Sequence, residues 1–378
     1  MRFLCFRKAW FYGLAGIGLL LILGACASFD KPKPEPLEAN PAKMLVKEVW
    51  RVNVGSGAMP LELRMVGDML WAASSQGDLS LIDATNGQVK ARSSVGQPLT
   101  AGVGADKDFV AVVTRDNQLV VWSGNKELWR QKISSLVVTA PLVAGARVFV
   151  LAADRTVYGF DAANGRKLWA QQRSGDSLLL AQASVLTAVG DTLITAQGGR
   201  LLALNPLNGS LRWDVQVASG RGINEVERLA DLVSGVSRVG DSVCLRAFQY
   251  AVTCIQTQTG RSAWNKPASG VTGIGGDGQS IVGVESDGKV IAWRRSDGEK
   301  LWTYEKLRLR SLTGPTLAGG AVLTGDNEGN VHWLSPADGK LLNRIATDGS
   351  PILGSPLWIA STWVVMTQRG NVIGFRPQ

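Results

Sequence analysis

Apolar residues come along this chain in short runs, of which Thr192-Leu-Ile-Thr195 is typical. Each run is entered through a turn such as Gly67-Asp68, Gly190-Asp191, Gly240-Asp241 or Gly319-Gly320. Short β-rich runs between turn signals predict strands. A second set of turns is polar and hairpin-like: Gln76-Gly77-Asp78, Asp116-Asn117, Gly198-Gly199, Asp287-Gly288, Glu328-Gly329 and Arg369-Gly370. One apolar run is different in kind, extending from about Ala9 to Ala25 behind Arg2, Arg7 and Lys8. A positive start followed by such a run has the layout of a secretory signal.

Aligned on itself, the chain repeats a unit of strand, turn closing on Gly, and strand, with Trp four residues past the Gly. Tyr158-Gly-Phe-Asp-Ala-Ala-Asn-Gly165-Arg-Lys-Leu-Trp169 and Leu202-Ala-Leu-Asn-Pro-Leu-Asn-Gly209-Ser-Leu-Arg-Trp213 show it plainly. Gly260 with Trp264 and Gly298 with Trp302 repeat it. Weaker copies carry Ala91 after Gly87 and Asn343 after Gly339, and one has Asn125 in the Gly place with Trp129 in register. The turn landmarks at 87, 125, 165, 209, 260, 298 and 339 lie 38 to 51 residues apart. Three turns per unit predict four antiparallel strands per unit.

The last unit breaks off at Gly370-Asn-Val-Ile-Gly-Phe375, after its third strand. Val46-Lys-Glu-Val-Trp50-Arg-Val-Asn-Val54 matches the missing Trp-bearing strand. An N-terminal strand that completes the last unit closes a ring and leaves no open edge. The expectation is therefore an all-β, eight-bladed β-propeller with four antiparallel strands per blade. Trp50, Trp129, Trp169, Trp213, Trp264 and Trp302 are its structural repeat residues, burying flat area where blades meet.

The 44 glycines and 13 tryptophans of the 378 residues agree with many tight turns and large packing units. Three domains follow. Residues 1–25 read as a lipoprotein signal, since Leu23-Gly24-Ala25-Cys26 resembles the bacterial lipobox, in which the cysteine is acylated. Residues 26–44, with Pro32, Pro34, Pro36 and Pro41 among Lys and Glu, read as an extended, semi-rigid tether. Residues 45–378 are the propeller. Ala27 stands where Asp would mean retention at the inner membrane in such lipoproteins, so Cys26 points to the periplasmic face of the outer membrane. The formal charge of +9 falls to 9 − 3 = +6 without Arg2, Arg7 and Lys8, and no basic block suggests a nucleic-acid surface.

Cys244 and Cys254 remain in the exported part, placed symmetrically about Gln249. A hairpin turning there sets them opposite each other, as a structural disulfide or as two buried thiols. Catalytic chemistry finds little support. His332, in Val331-His-Trp-Leu334, is the single histidine and fits an ordinary mid-strand residue, so neither a Ser-His-Asp triad nor a zinc site has its parts. Asp287, Asp297, Asp326 and Asp338 sit in hairpins, where short acids bond their own backbone. No cofactor is expected.

WD40 blades would need repeated Gly-His and Trp-Asp marks, which one histidine cannot supply. The turn-Gly and Trp pattern instead resembles the repeat of pyrroloquinoline-quinone enzymes and their non-enzymatic relatives. With the lipobox and tether, residues 26–378 resemble the BamB family of propeller lipoproteins of the outer-membrane β-barrel assembly complex. That resemblance implies a non-enzymatic scaffold that binds the periplasmic POTRA domains of BamA, meets other components of the complex and unfolded outer-membrane clients, and supports insertion of outer-membrane proteins. It also implies a contact surface of Leu178, Leu180, Arg228 and Asp231. Here the chain departs from the family pattern: Ala181 stands in place of an arginine and Val233 in place of an acid. A quinone-dependent periplasmic dehydrogenase, or a scaffold for another envelope complex, are the alternatives.

Overall fold

The computed structural model describes residues 33–57, 61–173, 180–220 and 229–378. The leader, Cys26, Leu178 and Arg228 lie outside the described residues. Among the described residues the ordered elements are all strands, arranged as eight four-stranded antiparallel sheets. Residues 64–94, 99–132, 142–171, 186–216, 232–267, 274–304 and 316–346 make blades 1 to 7. Blade 8 is built from Ile352–Ile359, Thr362–Thr367 and Asn371–Pro377, with Val46–Asn53 as its outer strand. Trp50 pairs with Gly374 there, so the two ends of the propeller chain share one sheet, as expected.

First strands of successive blades pack on one another around the axis. The middle strands of each blade are sandwiched between neighbouring blades, and their burial no longer alternates. Val110–Thr114, Thr192–Gln197, Ala321–Gly325 and Thr362–Thr367 are buried at every position. A sheet covered on both faces needs apolar residues on both, which is why these runs are continuous in the sequence. Outer strands face solvent; in Val89–Ser94 no residue is fully buried.

In every blade the register between the third and fourth strands slips by one residue next to the Trp position. The slip falls at Glu48/Trp50, Leu81/Ile82, Val121/Trp122, Gly159/Phe160, Ala203/Leu204, Cys254/Ile255, Ala292/Trp293 and Trp333/Leu334. A bulge re-aims a side chain out of its own sheet. The indole so aimed crosses to the next blade in the ring. Trp50, Trp129, Trp169, Trp213, Trp264 and Trp302 donate from Nε1 to the backbone oxygens of Ala84, Ala162, Pro206, Thr257, Arg295 and Pro336, at 2.7–3.0 Å. Each acceptor lies three residues before a turn glycine, and the ring lies flat on that glycine. A Cβ on Gly298 would stand 2.6 Å from Trp264, and φ there is +71°. Glycine is therefore required twice at one position, for the turn and for the ring.

Two seams lack this lock, each for a visible reason. Blade 1 offers Ala91, and blade 2 has no shelf to receive a Trp. Its turn is a two-residue hairpin closed by the Ser123 and Lys126 pair, with Gly124 at φ +55° and open space where other turns carry a ring. The alignment of Asn125 with the turn glycines is thus corrected: the loop is shorter and the positive-φ residue is Gly124. At the second seam blade 7 offers Asn343, and blade 8 has no turn between its third and fourth strands, because the fourth comes from the N-terminus.

Blade 5 holds Cys244 and Cys254 directly opposite one another on adjacent strands, with Cα atoms 4.0 Å apart, and the structure joins them in a disulfide. The hairpin between them turns at Gln249, which takes φ +47°.

Gly298→Ala is expected to lower stability by about 2–3 kcal/mol, the sum of backbone strain and a displaced ring. Gly278→Ala, where nothing lies within 4 Å of the added carbon, should change stability by less than about 0.5 kcal/mol. Urea midpoints of the two variants check this; equal shifts would remove the lock from the account.

Candidate partner-binding site

The segments that enter blades 4 and 5 lie side by side on one face of the ring. Leu180 and Asp231, far apart in sequence, meet there: the Leu180 backbone N–H donates to Asp231 Oδ2 at 2.6 Å. Further bonds zip the two segments together. Ser184 Oγ donates to the Leu232 carbonyl at 2.6 Å, and the Ser234 N–H to the Ala183 carbonyl at 2.9 Å. The Ser184 N–H is in turn held by Thr139 Oγ1 at 3.0 Å, which ties both to the entrance of blade 3. On its other side the Asp231 carbonyl accepts from the Phe248 N–H at 2.8 Å.

These segments line a cavity of about 150 Å³ with Leu136, Leu151, Ala196 and Ala183 as apolar wall, and with Arg155, Gln197 and Asp231 as polar groups. Such a concave surface, mostly apolar with a few convergent polar atoms, suits a protruding side chain of a partner. Burial raises the Asp231 carboxyl above its ordinary 3.8, against the opposing pull of the Leu180 N–H and the Arg155 charge. Arg155 sits in the hairpin between the second and third strands of blade 3, in the left-handed region at φ +67°. Its carbonyl accepts from Gln197 Nε2 at 2.6 Å, so that hairpin is pinned to blade 4.

Leu180 is half-buried and Asp231 likewise, whereas Val233 is only 1% exposed. The departure at Val233 has a local reason. Its neighbours Leu232 and Ala230 are also buried, and an acid in that wall would give up its hydration, with the buried Arg246 opposite it on the adjacent strand as the one charge to meet it. Ala181 is exposed, so the arginine absent there is not replaced by packing. A guanidinium does stand near Asp231, but it comes from Arg155. Nothing distinguished Arg155 in the sequence, since most blades carry a polar hairpin at that place and only the folded ring shows which one stands near Asp231.

Other buried charged groups are paired away from this surface. His332 Nε2 lies 3.0 Å from Asp326 Oδ2, both groups fully buried, and burial depresses the imidazole below its ordinary value. Arg246 pairs with Glu285 at 3.0 Å between blades 5 and 6, and Glu285 also accepts from the Ser269 hydroxyl at 2.8 Å. Across the axis Ser234 Oγ approaches Glu62 Oε1 at 3.4 Å, from blade 5 to the entrance of blade 1, beside a cavity of about 490 Å³. Among the described residues no group of three or more His, Cys, Asp or Glu side chains is arranged to hold a metal ion.

A sequence-family profile described as outer membrane protein assembly factor BamB matches residues 75–304. The outer membrane protein assembly factor BamB of Burkholderia pseudomallei is 34% identical over 95% of this chain and 96% of its own. The chain belongs to the BamB family. The BamB crystal structure from Moraxella catarrhalis covers 88% of this chain and all of its own at a TM-score of 0.80 and 22% identity, a likeness of fold. The same fold also occurs in the quinohemoprotein alcohol dehydrogenase of Comamonas testosteroni, at a TM-score of 0.68 and 13% identity over 90% of this chain and 78% of that one. Membership of the BamB family therefore rests on sequence, and the propeller alone would not separate the two classes.

The raised carboxyl gives a signed expectation. A group whose folded pKa lies above its unfolded one contributes stability at low pH, which is lost as pH rises through the folded value. Asp231→Asn should therefore be more stable than the parent at pH 7, with the difference closing toward about pH 4. Thermal midpoints across that range test it, and a pH-independent difference would mean that ionisation at Asp231 is not the cause.

Proposed function

We propose that this BamB-family chain is a non-catalytic scaffold of the outer-membrane protein assembly machinery, anchored by an acylated Cys26 to the periplasmic face of the outer membrane. Its partner surface is the one around Leu180 and Asp231, completed by Leu178 and Arg228, and the partner is the POTRA region of BamA. Other components of the complex and unfolded clients approach a protein held in place by that contact.

One observation carries this reading. The bond from the Leu180 N–H to Asp231 brings two segments, named separately by the family resemblance, into a single concave surface. The surface is rigid because its walls are blade entrances hydrogen-bonded to one another, and rigid first contacts limit the ordering cost of association. Its lining, apolar with one acid and one guanidinium, favours an apolar or aromatic side chain flanked by charge.

Copurification with BamA from cells producing the full chain tests the surface. Leu180→Ala with Asp231→Arg is expected to reduce recovery of the complex at least about tenfold, since a buried contact and a charge are both lost. Full recovery, with the variant folded by circular dichroism, would place the interface elsewhere. Cys26→Ser should in the same cells move the protein from the membrane to the soluble periplasmic fraction; retention at the membrane would count against the anchor.

A further inference from the structure

The segment expected to be an extended, semi-rigid tether is bonded to the propeller from Glu35 onward. The Glu35 N–H donates to the Arg308 carbonyl at 3.2 Å, and Arg310 Nη2 donates to the Glu35 carbonyl at 2.7 Å. Leu37 packs among Leu307, Leu312 and Tyr304. Glu38 accepts from the Tyr304 hydroxyl at 2.5 Å through its carboxylate and from Arg344 Nη2 at 2.8 Å through its carbonyl. Asn40 Nδ2 donates to Asn343 Oδ1 at 2.9 Å and to the Arg344 carbonyl at 3.0 Å. The Lys43 N–H reaches the Leu342 carbonyl at 2.7 Å, and Met44 packs against the cluster of Trp333 and Phe375.

Asn343 is the centre of this set, and it occupies the Trp position of blade 7. Its amide donates to the Met44 carbonyl at 2.8 Å while accepting from Asn40, uses that only a side chain with both a donor and an acceptor can serve. It is 7% exposed, as deeply placed as the locking tryptophans, which are 7–9% exposed where they are fully buried. The seam from blade 7 to blade 8 has no turn for an indole to rest on, because the fourth strand of blade 8 comes from the N-terminus. The residues just before that strand fill the gap.

We infer that blades 6 and 7 form a binding site for an extended peptide, that residues 35–44 are its occupant, and that this strap is the lock of the blade 7–8 seam in place of the missing tryptophan. Pro36 and Pro41 suit the role, since each favours an extended chain and gives up an N–H that has no partner in the site. Arginines 310 and 344 recognise carbonyl oxygens of the strap, Tyr304 its carboxylate, and Asn343 its exit into the strand Val46–Asn53. At the blade 1–2 seam, which also lacks a Trp, no such segment lies among the described residues, and the space beside Gly124 is open to them.

Hydrogen exchange on the full chain tests this, independently of any lipid or partner. In the unmodified protein the Glu35 and Lys43 amides should exchange well below the rate of an unstructured peptide. Asn343→Ala should raise exchange at Lys43 and Met44 about tenfold or more, and should also raise it in Leu341–Ala346 and Asn371–Pro377, while leaving Lys167–Gln171 unchanged. Asn40→Ala with Tyr304→Phe, which leaves the blade strands intact, should release the strap in the same way. Strap amides that exchange at the free-peptide rate in the unmodified protein would overturn the binding site. Release of the strap without any change in the strands of blades 7 and 8 would overturn its role as a lock.

Discussion

The propeller depends on a hydrogen bond that costs a blade nothing of its own ladder. Because the bulge before each outer-strand Trp turns the indole out of its sheet, the Nε1 group can reach a carbonyl of the neighbouring blade that its own sheet does not use. Burying a tryptophan removes a large apolar area from water, and the N–H at its edge must still find an acceptor. Both requirements are met at one place, the turn that ends in glycine. Blades joined only by apolar packing could slide on one another; at six of the eight seams such a bond holds a blade at a set angle to its neighbour. The shape of the partner surface follows, since it is assembled from the entrances of three adjacent blades.

Much of this was legible in the sequence because it repeats. The Gly and Trp at fixed spacing marked the locks, and the run from Val46 matched the strand that the last unit lacks. What stayed hidden is what does not repeat. The short turn at Gly124 could not be told from a variant of the others, since Asn125 aligns with the glycines as well as Gly124 does. The strap was read as an extended, semi-rigid tether because its composition cannot build a core of its own, and its partners, Tyr304, Arg310 and Asn343, lie 266 to 303 residues away. Composition reports what a segment can do alone, and here the energy comes from the surface it lies on.

The candidate site divides in the same way. Leu180 and Asp231 were named by resemblance, and the geometry explains why they act as one unit: a backbone N–H of one is held by the carboxylate of the other. Arg155 and Gln197 were not marked in the sequence, because their place in the surface arises only when blade 3 is set beside blade 4. The valine at 233 belongs to a buried wall, where an ionised group would lose its hydration.

All six locks also run in one sense around the ring, from the outer strand of a blade to the turn of the blade that follows it in the chain. A fragment cut at two of these locked seams therefore ends in an unmatched indole on one side and an empty shelf on the other. Such ends are complementary to each other, and so to those of a second fragment, which is the geometry of head-to-tail association. A ring caught half-made is in this sense adhesive toward its own kind. The strand at Val46–Asn53, drawn from the first part of the chain and placed in the last blade, is what closes the ring by setting Trp50 on the turn of blade 1.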